Sequence, residues 1–352
     1  MKKAIYYFGI LLTIFFALLG IAGFISGYVS PIECDFISFF GLALLPSLAI
    51  NLLLVFIWLI RKSLWTWLPT ATLFLNISFI LSMLQFKIPH NLSQGKESIK
   101  MISYNIDNFS HDGNDHFNEI TQWLINEKPD ILCLQECPAQ NSPSMDSITS
   151  ALPFLPYSCY TYSDSGSSGN ALFSKYPIVR FESMLYSESD NKSLSAVLDL
   201  SGQFVRVVNN HFQTTSVNAV KPHLYQAHAE GNQSGELRAI FNMFMQMKKN
   251  FVKRARQADF IRQLLDAEKG ATIVCGDFND TPCSYTYKTV KGDLTDGFRD
   301  CGSGFGYTFR QLKKLFRIDY IFYSSSFKGL TYDSPNLDYS DHKPVVWKGY
   351  VK

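Results

Sequence analysis

Four short islands, Tyr104-Asn105, Gln135-Glu136, Gly276-Asp277-Phe278-Asn279 and Ser340-Asp341-His342, each set an acidic or amide side chain at the edge of a short apolar run. A fold that brings those edges together collects carboxylates, amides and an imidazole around one hole. Carboxylate and amide oxygens are the donors that hard divalent cations take, Mg²⁺ foremost. A histidine beside such a cluster suits phosphoester hydrolysis, in which negative charge builds on phosphoryl oxygens.

Each island carries a bland reading beside the chemical one. Asn105 closes the alternating run Met101-Ile-Ser-Tyr, where an amide either forms a turn or orients a carboxylate or phosphate. Glu136 ends the apolar run Ile131-Leu-Cys-Leu; a carboxylate beside a core is costly without a compensating cation or hydrogen bonds. It is therefore the leading metal-ligand candidate. Asp277 and Asn279 lie two apart and share a side if strand geometry persists through them. An aspartate that takes a proton from water, with an amide to fix that water or the phosphate, suits general-base catalysis. Asp341 adds a third carboxylate beside His342, and Asp319 at the start of Asp-Tyr-Ile-Phe-Tyr is placed to pin the His342 tautomer. His211 ends the Val205-Arg-Val-Val run in Asn-Asn-His, where a capped strand end is the plain alternative.

The elements that must position these residues are short apolar β-type runs at Ile102, Ile131, Ala171, Ala196, Val205, Thr272, Asp319 and Val345. Helical periodicity falls at His116 to Asn126 and, over a long amphipathic stretch, from Arg238 to Leu265. This mixture predicts an α/β architecture of sheets sandwiched by helices. Residues 213–237, polar and containing His223, His228 and Gly231-Asn-Gln-Ser-Gly, read as a long loop after a strand: a lid, a substrate-selecting wall or a surface insertion. Lys248, Lys249, Lys253, Arg254 and Arg256 cluster on the long helix, as a solvated face or as a contact for phosphates or anionic head groups.

The first hundred residues differ in kind. Ala4 to about Ser26, Phe36 to Ile60 and Leu64 to Phe86 are apolar runs without internal charge, each long enough to cross a hydrocarbon core of roughly 30 Å as a helix. A signal peptide is the rival for the first run. The expected division is a 1–86 anchor with three transmembrane helices, an 87–99 polar tether and a 100–352 catalytic domain. Lys2 and Lys3 precede the first run and Arg61-Lys62 lie between the second and third, whereas the intervening loop holds only Glu33 and Asp35. Positive-inside bias then places 87–352 outside the cytoplasm of a multi-pass protein, as in a bacterial inner membrane. Asn51 and Asn76, deep in the apolar runs, are expected to hydrogen-bond between helices. The whole chain is +2, but 101–352 carries 25 basic against 27 acidic residues, which argues against a grip on nucleic acid through bulk positive field. The seven cysteines show no zinc-ligand spacing, and Cys159, Cys283 and Cys301 leave a disulfide open.

Taken together, Ser103-Tyr-Asn105, Leu134-Gln-Glu136, Gly169-Asn-Ala-Leu-Phe-Ser-Lys-Tyr-Pro177, Asn210-His211-Phe-Gln213, Gly276-Asp-Phe-Asn279, Arg317-Ile-Asp-Tyr-Ile321 and Ser340-Asp-His342 resemble the endonuclease/exonuclease/phosphatase superfamily of DNase-I-like proteins, in the family's order over about residues 99–350. The resemblance implies a four-layer αββα sandwich and Mg²⁺-dependent hydrolysis of a phosphodiester or phosphomonoester, with Mn²⁺ as an alternative ion. It further implies Glu136 as principal metal ligand with Asn105 and Asp341 near it. Asp277 and Asn279 would align water and phosphate, while His342, held by Asp319, and His211 would stabilise phosphoryl charge. His211 stands where apurinic endonucleases tend to carry a tyrosine, which leans toward the DNase- and sphingomyelinase-like branches. The expected partners are a bilayer, through the N-terminal helices, and a phosphoester of a lipid head group or of nucleic acid. A non-catalytic, membrane-tethered binding module of the same fold is the alternative, and it predicts loss of at least one of these residues.

Overall fold

The computed structural model describes residues 2–87, 97–138, 143–162, 168–215 and 217–352; the tether expected at 87–99 lies mostly outside them. The chain separates into two compact units. One comprises Met1–Leu81, Thr215–Asp259 and Thr281–Val290, the other Ser82–Thr214, Phe260–Asp280 and Lys291–Lys352.

The second unit is built on two six-stranded sheets. One runs Thr295–Asp296, Asp319–Tyr323, Ala271–Asp277, Gln203–His211, Ser189–Leu200, Ile178–Tyr186 from edge to edge. The other runs Phe327–Asp333, Val345–Val351, Ile99–Asn105, Ile131–Pro138, Ser168–Ser174, Tyr157–Tyr162. Each has one parallel pair at its centre, Gln203–His211 with Ala271–Asp277 and Ile99–Asn105 with Ile131–Pro138, and the remaining pairings are antiparallel. A parallel pair delivers two carboxyl ends to the same edge. Here the register sets His211 beside Asp277 and Asn105 beside Gln135.

Strand periodicity explains what each face does. Met101, Ile131, Cys133, Val205, Val207, Ile273 and Cys275 form one buried cluster between the sheets. The alternate residues Ile102, Tyr104, Leu132 and Leu134 bury instead against Ile120 and Leu124 of the Phe117–Glu127 helix and Ile148 of Met145–Ala151. Along the inner face the chemistry changes toward the carboxyl ends: Cys133 gives way to Gln135, Val207 to Asn209, Met101 to Ser103. These polar side chains bind the sheets together. Gln135 Nε2 donates to Asn209 Oδ1 at 2.6 Å, and Asn209 Nδ2 donates to the carbonyls of Leu134 and Ala171 at 2.9 and 3.0 Å. Asn170 Nδ2 crosses in the same way to the carbonyls of Lys192 and Asn209 at 3.0 and 3.2 Å. All seven cysteines are free thiols, which closes the disulfide question left by their number.

In the first unit, the Lys2–Ile25 helix is long and apolar enough to cross a membrane. The other two apolar runs differ from three simple spans. The second breaks at Ala43 into Ile37–Leu42 and the 17-residue Leu44–Ile60. The third bends by 58° between Leu64–Leu75 and Ile77–Met83, and passes the same test only if the bent pair is taken as one span. Asn76 sits at this bend, its side chain donating to Gly20 O at 3.2 Å and to Thr72 O at 3.0 Å. Asn51 likewise donates to Phe16 O at 2.9 Å, so both amides tie their segments to the first helix as expected. The stretch 213–237 is largely helical rather than a loop, containing Val217–Ala229 and the start of Gln233–Ala267. Gly231, at φ +64°, ends the first helix, and Asn232 Oδ1 caps the second by accepting from Gly235 N at 2.9 Å. Polar composition and a Gly-Asn pair read as loop because the joint between two helices uses the same residues.

Gly276 occupies the left-handed region at φ +119°, and a Cβ there would strike the backbone of Asn210 on the neighbouring parallel strand. Gly113 also has positive φ, +78°, but nothing lies near its would-be Cβ. Gly276→Ala is therefore expected to lose on the order of 3 kcal/mol and Gly113→Ala only about 1. Chemical denaturation of the two variants measures the difference, which isolates the close strand approach from the backbone strain.

Candidate active site

The inner-face progression ends in functional groups at the shared edge: Ser103 leads to Asn105, Asn209 to His211, Cys275 to Asp277. Glu136 arrives there differently. The register between its strand and Ser168–Ser174 slips between Leu134 and Cys137, and Glu136 adopts φ +53° within that bulge. A bulge re-aims a side chain that regular alternation would send to the opposite face. Asn279 also has positive φ, +51°, because the strand ends at Asp277. The expected side-sharing of Asp277 and Asn279 thus comes from a turn rather than from continued strand geometry.

Asp277 Oδ2 is the centre of the arrangement. It accepts from Asn105 Nδ2 and Asn279 Nδ2, both at 3.1 Å, and lies 3.6 Å from His342 Nε2 and 3.8 Å from His211 Nε2. Its Oδ1 accepts from the Asn279 backbone N–H at 2.8 Å. Asn105 Nδ2 also donates to Glu136 Oε1 at 3.0 Å, so one amide orients both carboxylates. Its own oxygen accepts from the Asp107 backbone N–H at 3.2 Å. On the far side, Asp319 faces Asp277 as its cross-strand partner, and the His342 ring lies between them with Nδ1 3.0 Å from Asp319 Oδ2. Ser340 fastens this end by donating to Asn105 O at 2.7 Å and accepting from His342 N at 3.1 Å.

Among the described residues, two triads offer ligand atoms within 4.8 Å of one another: Glu136, His211 and Asp277; and Asp277, Asp319 and His342. Asp341 belongs to neither. Its Oδ2 accepts from Gln311 Nε2 at 3.3 Å and its Oδ1 lies 3.8 Å from His342 Nε2, although its charge reaches Glu136 and Asp107. The Asp277 side chain is 1 % exposed and the half-buried Glu136 side chain 27 %, so Glu136 is the less enclosed of the two carboxylates.

Burial raises the Asp277 carboxyl to about 6, against the opposing pull of His342. Glu136 also lies above the ordinary carboxylate range because it is enclosed by protein, despite its Asn105 hydrogen bond. The two histidines diverge. Burial would lower His342, but Asp319 and Asp277 outweigh it and hold the ring well above the usual imidazole value. At His211 burial prevails over the attraction of Asp277, and the pKa falls. One edge therefore holds a cationic and a neutral imidazole beside the same carboxylate.

The structure brings seven of the eight sequence-designated residues, Asn105, Glu136, His211, Asp277, Asn279, Asp319 and His342, into this single network, with Asp341 at its margin. Sequence reasoning missed Asn191, whose Nδ2 is 3.0 Å from His211 Nε2, and Asn209 and Asn170, which join the sheets beneath the site. It also missed Asp107, set in a left-handed turn at φ +47° and paired with His111 at 3.1 Å. Asn170 stands within the motif that runs from Gly169 to Pro177. Asn191 lies in the polar Ser189–Ser193 start of its strand, ahead of the Leu194, Ala196, Leu198 alternation, and gave no signal.

A family model described as the endonuclease/exonuclease/phosphatase family matches residues 102–342, and one described as a domain of unknown function matches 3–83. No curated protein matches the chain. Among solved structures, an endonuclease/exonuclease/phosphatase from Beutenbergia cavernae aligns at 17 % identity and TM-score 0.53 over 73 % of this chain and 72 % of its own. One from Bacteroides vulgatus aligns at 17 % and 0.53 over 73 % and 100 %. The human Nocturnin catalytic domain, solved with a bound sulfate anion, aligns at 18 % and 0.51 over 72 % and 95 %. At these identities the likeness speaks for the fold, a DNase-I-like α/β sandwich.

A carboxyl whose folded pKa is raised favours the protonated native state. That stabilisation is fully present below the ordinary aspartate value of 3.8 and is lost as pH rises through about 6. In chelator, Asp277→Asn is accordingly expected to melt higher than wild type at neutral pH, by roughly 1–3 kcal/mol of stability. The gap should close as pH falls toward 4, and thermal melts across that window measure it.

Proposed function

The chain belongs to the endonuclease/exonuclease/phosphatase family, and on that premise we propose that it is a membrane-anchored, divalent-metal-dependent phosphoesterase. The observation that carries this reading is Asp277 Oδ2, on which two amides and two oppositely shifted imidazoles converge. The donor set fits Mg²⁺ or Mn²⁺: it is oxygen-rich, and a bound cation would favour the ionised form of two carboxyls that burial holds above their usual range. Glu136 would hold the ion, with Asp277, His211, Asp341 and Asn105 as neighbours. When bound, such an ion supplies positive charge against phosphoryl oxygens.

The remaining work falls to the chain's own groups. Asp277 Oδ2 takes the proton of the attacking water, a role suited to a base near neutral pH. Asn279 holds that carboxylate by two hydrogen bonds and leaves its position little freedom. Asp319 fixes the His342 tautomer and keeps the ring cationic, facing the charge that develops as the ester bond breaks. His211 offers a neutral ring to the same space. The substrate is a phosphoester of a lipid head group or of nucleic acid. The non-catalytic alternative required loss of a site residue, and every one is present.

For the anchor we propose the three apolar segments within residues 1–86, followed by the 87–99 tether and the 100–352 catalytic domain, with the catalytic domain outside the cytoplasm. The Lys2–Ile25 helix and the basic residues Lys2, Lys3, Arg61 and Lys62 support this reading.

Release of p-nitrophenol from bis-p-nitrophenyl phosphate by the full-length protein is expected to require Mg²⁺ or Mn²⁺. It should fall by about 10²-fold or more in Glu136→Ala and by about 10³-fold in Asp277→Ala. Equal turnover by wild type and both variants would sink the enzyme reading. The same assay on sphingomyelin, inositol phosphates, RNA and plasmid DNA separates the substrate classes. A reporter active only outside the cytoplasm should function when fused after Lys352 and fail when fused after Lys62; the reverse pattern overturns the orientation.

A further inference from the structure

The Gln233–Ala267 helix begins with a row of large apolar side chains that face solvent. Leu237 is 70 % exposed, Phe241 63 %, Phe244 47 % and Ile240 36 %. Their spacing of three, four and seven residues places them on one stripe of the helix. Tyr225, on the preceding helix, is 68 % exposed as well. An apolar stripe of this length is uncommon on a surface meant only for water.

The stripe is continuous with packing inside the same compact unit. Phe244, at its end, and the buried Phe251, two turns further on, both meet the ring of Phe39, at 5.3 and 5.2 Å. Lys248 pairs with Asp35 at 2.9 Å and lies 4.5 Å over the Phe36 ring. The helix is thus held at the loop that follows the membrane-length Lys2–Ile25 helix, the end opposite Lys2 and Lys3. That unit already presents a lipid-like exterior, with Phe8, Leu11, Phe15 and Leu18 of the first helix about 60 % exposed. Exposed Arg238 and Lys249 lie to one side of the stripe, roughly a third of a turn round the helix. Apolar groups on one face with cations flanking them is the pattern of a helix lying in a bilayer surface among anionic head groups.

We propose that the insertion between the strands Gln203–His211 and Ala271–Asp277 is a second membrane attachment, with Leu237, Ile240, Phe241 and Phe244 seated among the acyl chains of an anionic bilayer. The proposal rests on the reading of the N-terminal segments as an anchor. Within the basic cluster on the long helix, Arg254 is buried and Lys248 is engaged by Asp35, while Lys249, together with Arg238 outside the cluster, is presented to head groups.

The test uses the full chain in phosphatidylcholine–phosphatidylglycerol vesicles, with the exposed Cys34 replaced by Ser. A single environment-sensitive fluorophore is placed at Phe241→Cys, Asn242→Cys or Leu11→Cys, and nitroxide-bearing lipids serve as quenchers. The label at 241 is expected to be quenched at least about twofold more than the label at 242, and most strongly by a nitroxide near the head of the acyl chain. Equal, water-like behaviour at 241 and 242 overturns the proposal. So does a 241 label that is shielded from water yet unquenched by lipid, which identifies a second copy as the occupant. The Leu11 label separates the two readings. Quenching there without quenching at 241 removes the second attachment and leaves the anchor, whereas no quenching at either removes both.

Discussion

Burial of one carboxylate, Asp277, at the junction of two sheets organises the rest of the active unit. An ionised group that is 1 % exposed demands compensation, and every neighbour answers that demand in a specific way. Asn105 and Asn279 donate to it, Asp319 and His342 form a charged pair against it, and His211 closes the remaining side. The compensation is incomplete, since burial still raises the carboxyl to about 6. That residual imbalance supports the proposed role of the group as a base near neutrality.

The position of Asp277 is set by the polar belt beneath it. Gln135, Asn209 and Asn170 replace apolar residues on the inner faces just before the strands end, and their hydrogen bonds cross from one sheet to the other. Buried amides must be satisfied in one geometry, whereas packed aliphatics tolerate several. The belt therefore holds the two edges in a defined relation, where an all-apolar interface would let them slide. Glu136 and Asn279 are then added by departures from regular strand geometry, a bulge and a left-handed turn. Such strained positions are stable only where their surroundings over-determine them.

Much of this was legible in the residues themselves. The apolar runs with carboxylates or amides at their ends announced strand edges, and the order of the motifs announced the fold family. Asn51 and Asn76 were legible as helix ties because an amide within an apolar run has few other uses. The interruptions of the second and third apolar runs were not. Composition registers hydrophobicity, which is the same on both sides of the break at Ala43 and of the bend at Asn76, where the amide is tied to Gly20 of the first helix. The helical residues 217–229 and 233–237 read as loop for the opposite reason. Their polar, exposed turns carry little periodicity, and their caps look like turns.

What the sequence determined by itself was the inventory: which chemical groups exist, that most of them stand at strand ends, and that an apolar N-terminal part precedes an α/β domain. Those are properties of local order, recorded in periodicity and residue type. The tertiary structure decided which groups act on which. It made Asp277 rather than Glu136 the meeting point, moved Asp341 to the margin, and gave two histidines opposite charge preferences. It also brought in Asn191, Asn209 and Asn170. Distance and desolvation govern those outcomes, and both depend on residues 172 positions apart in the chain, as Asn105 and Asp277 are, meeting within 3.1 Å.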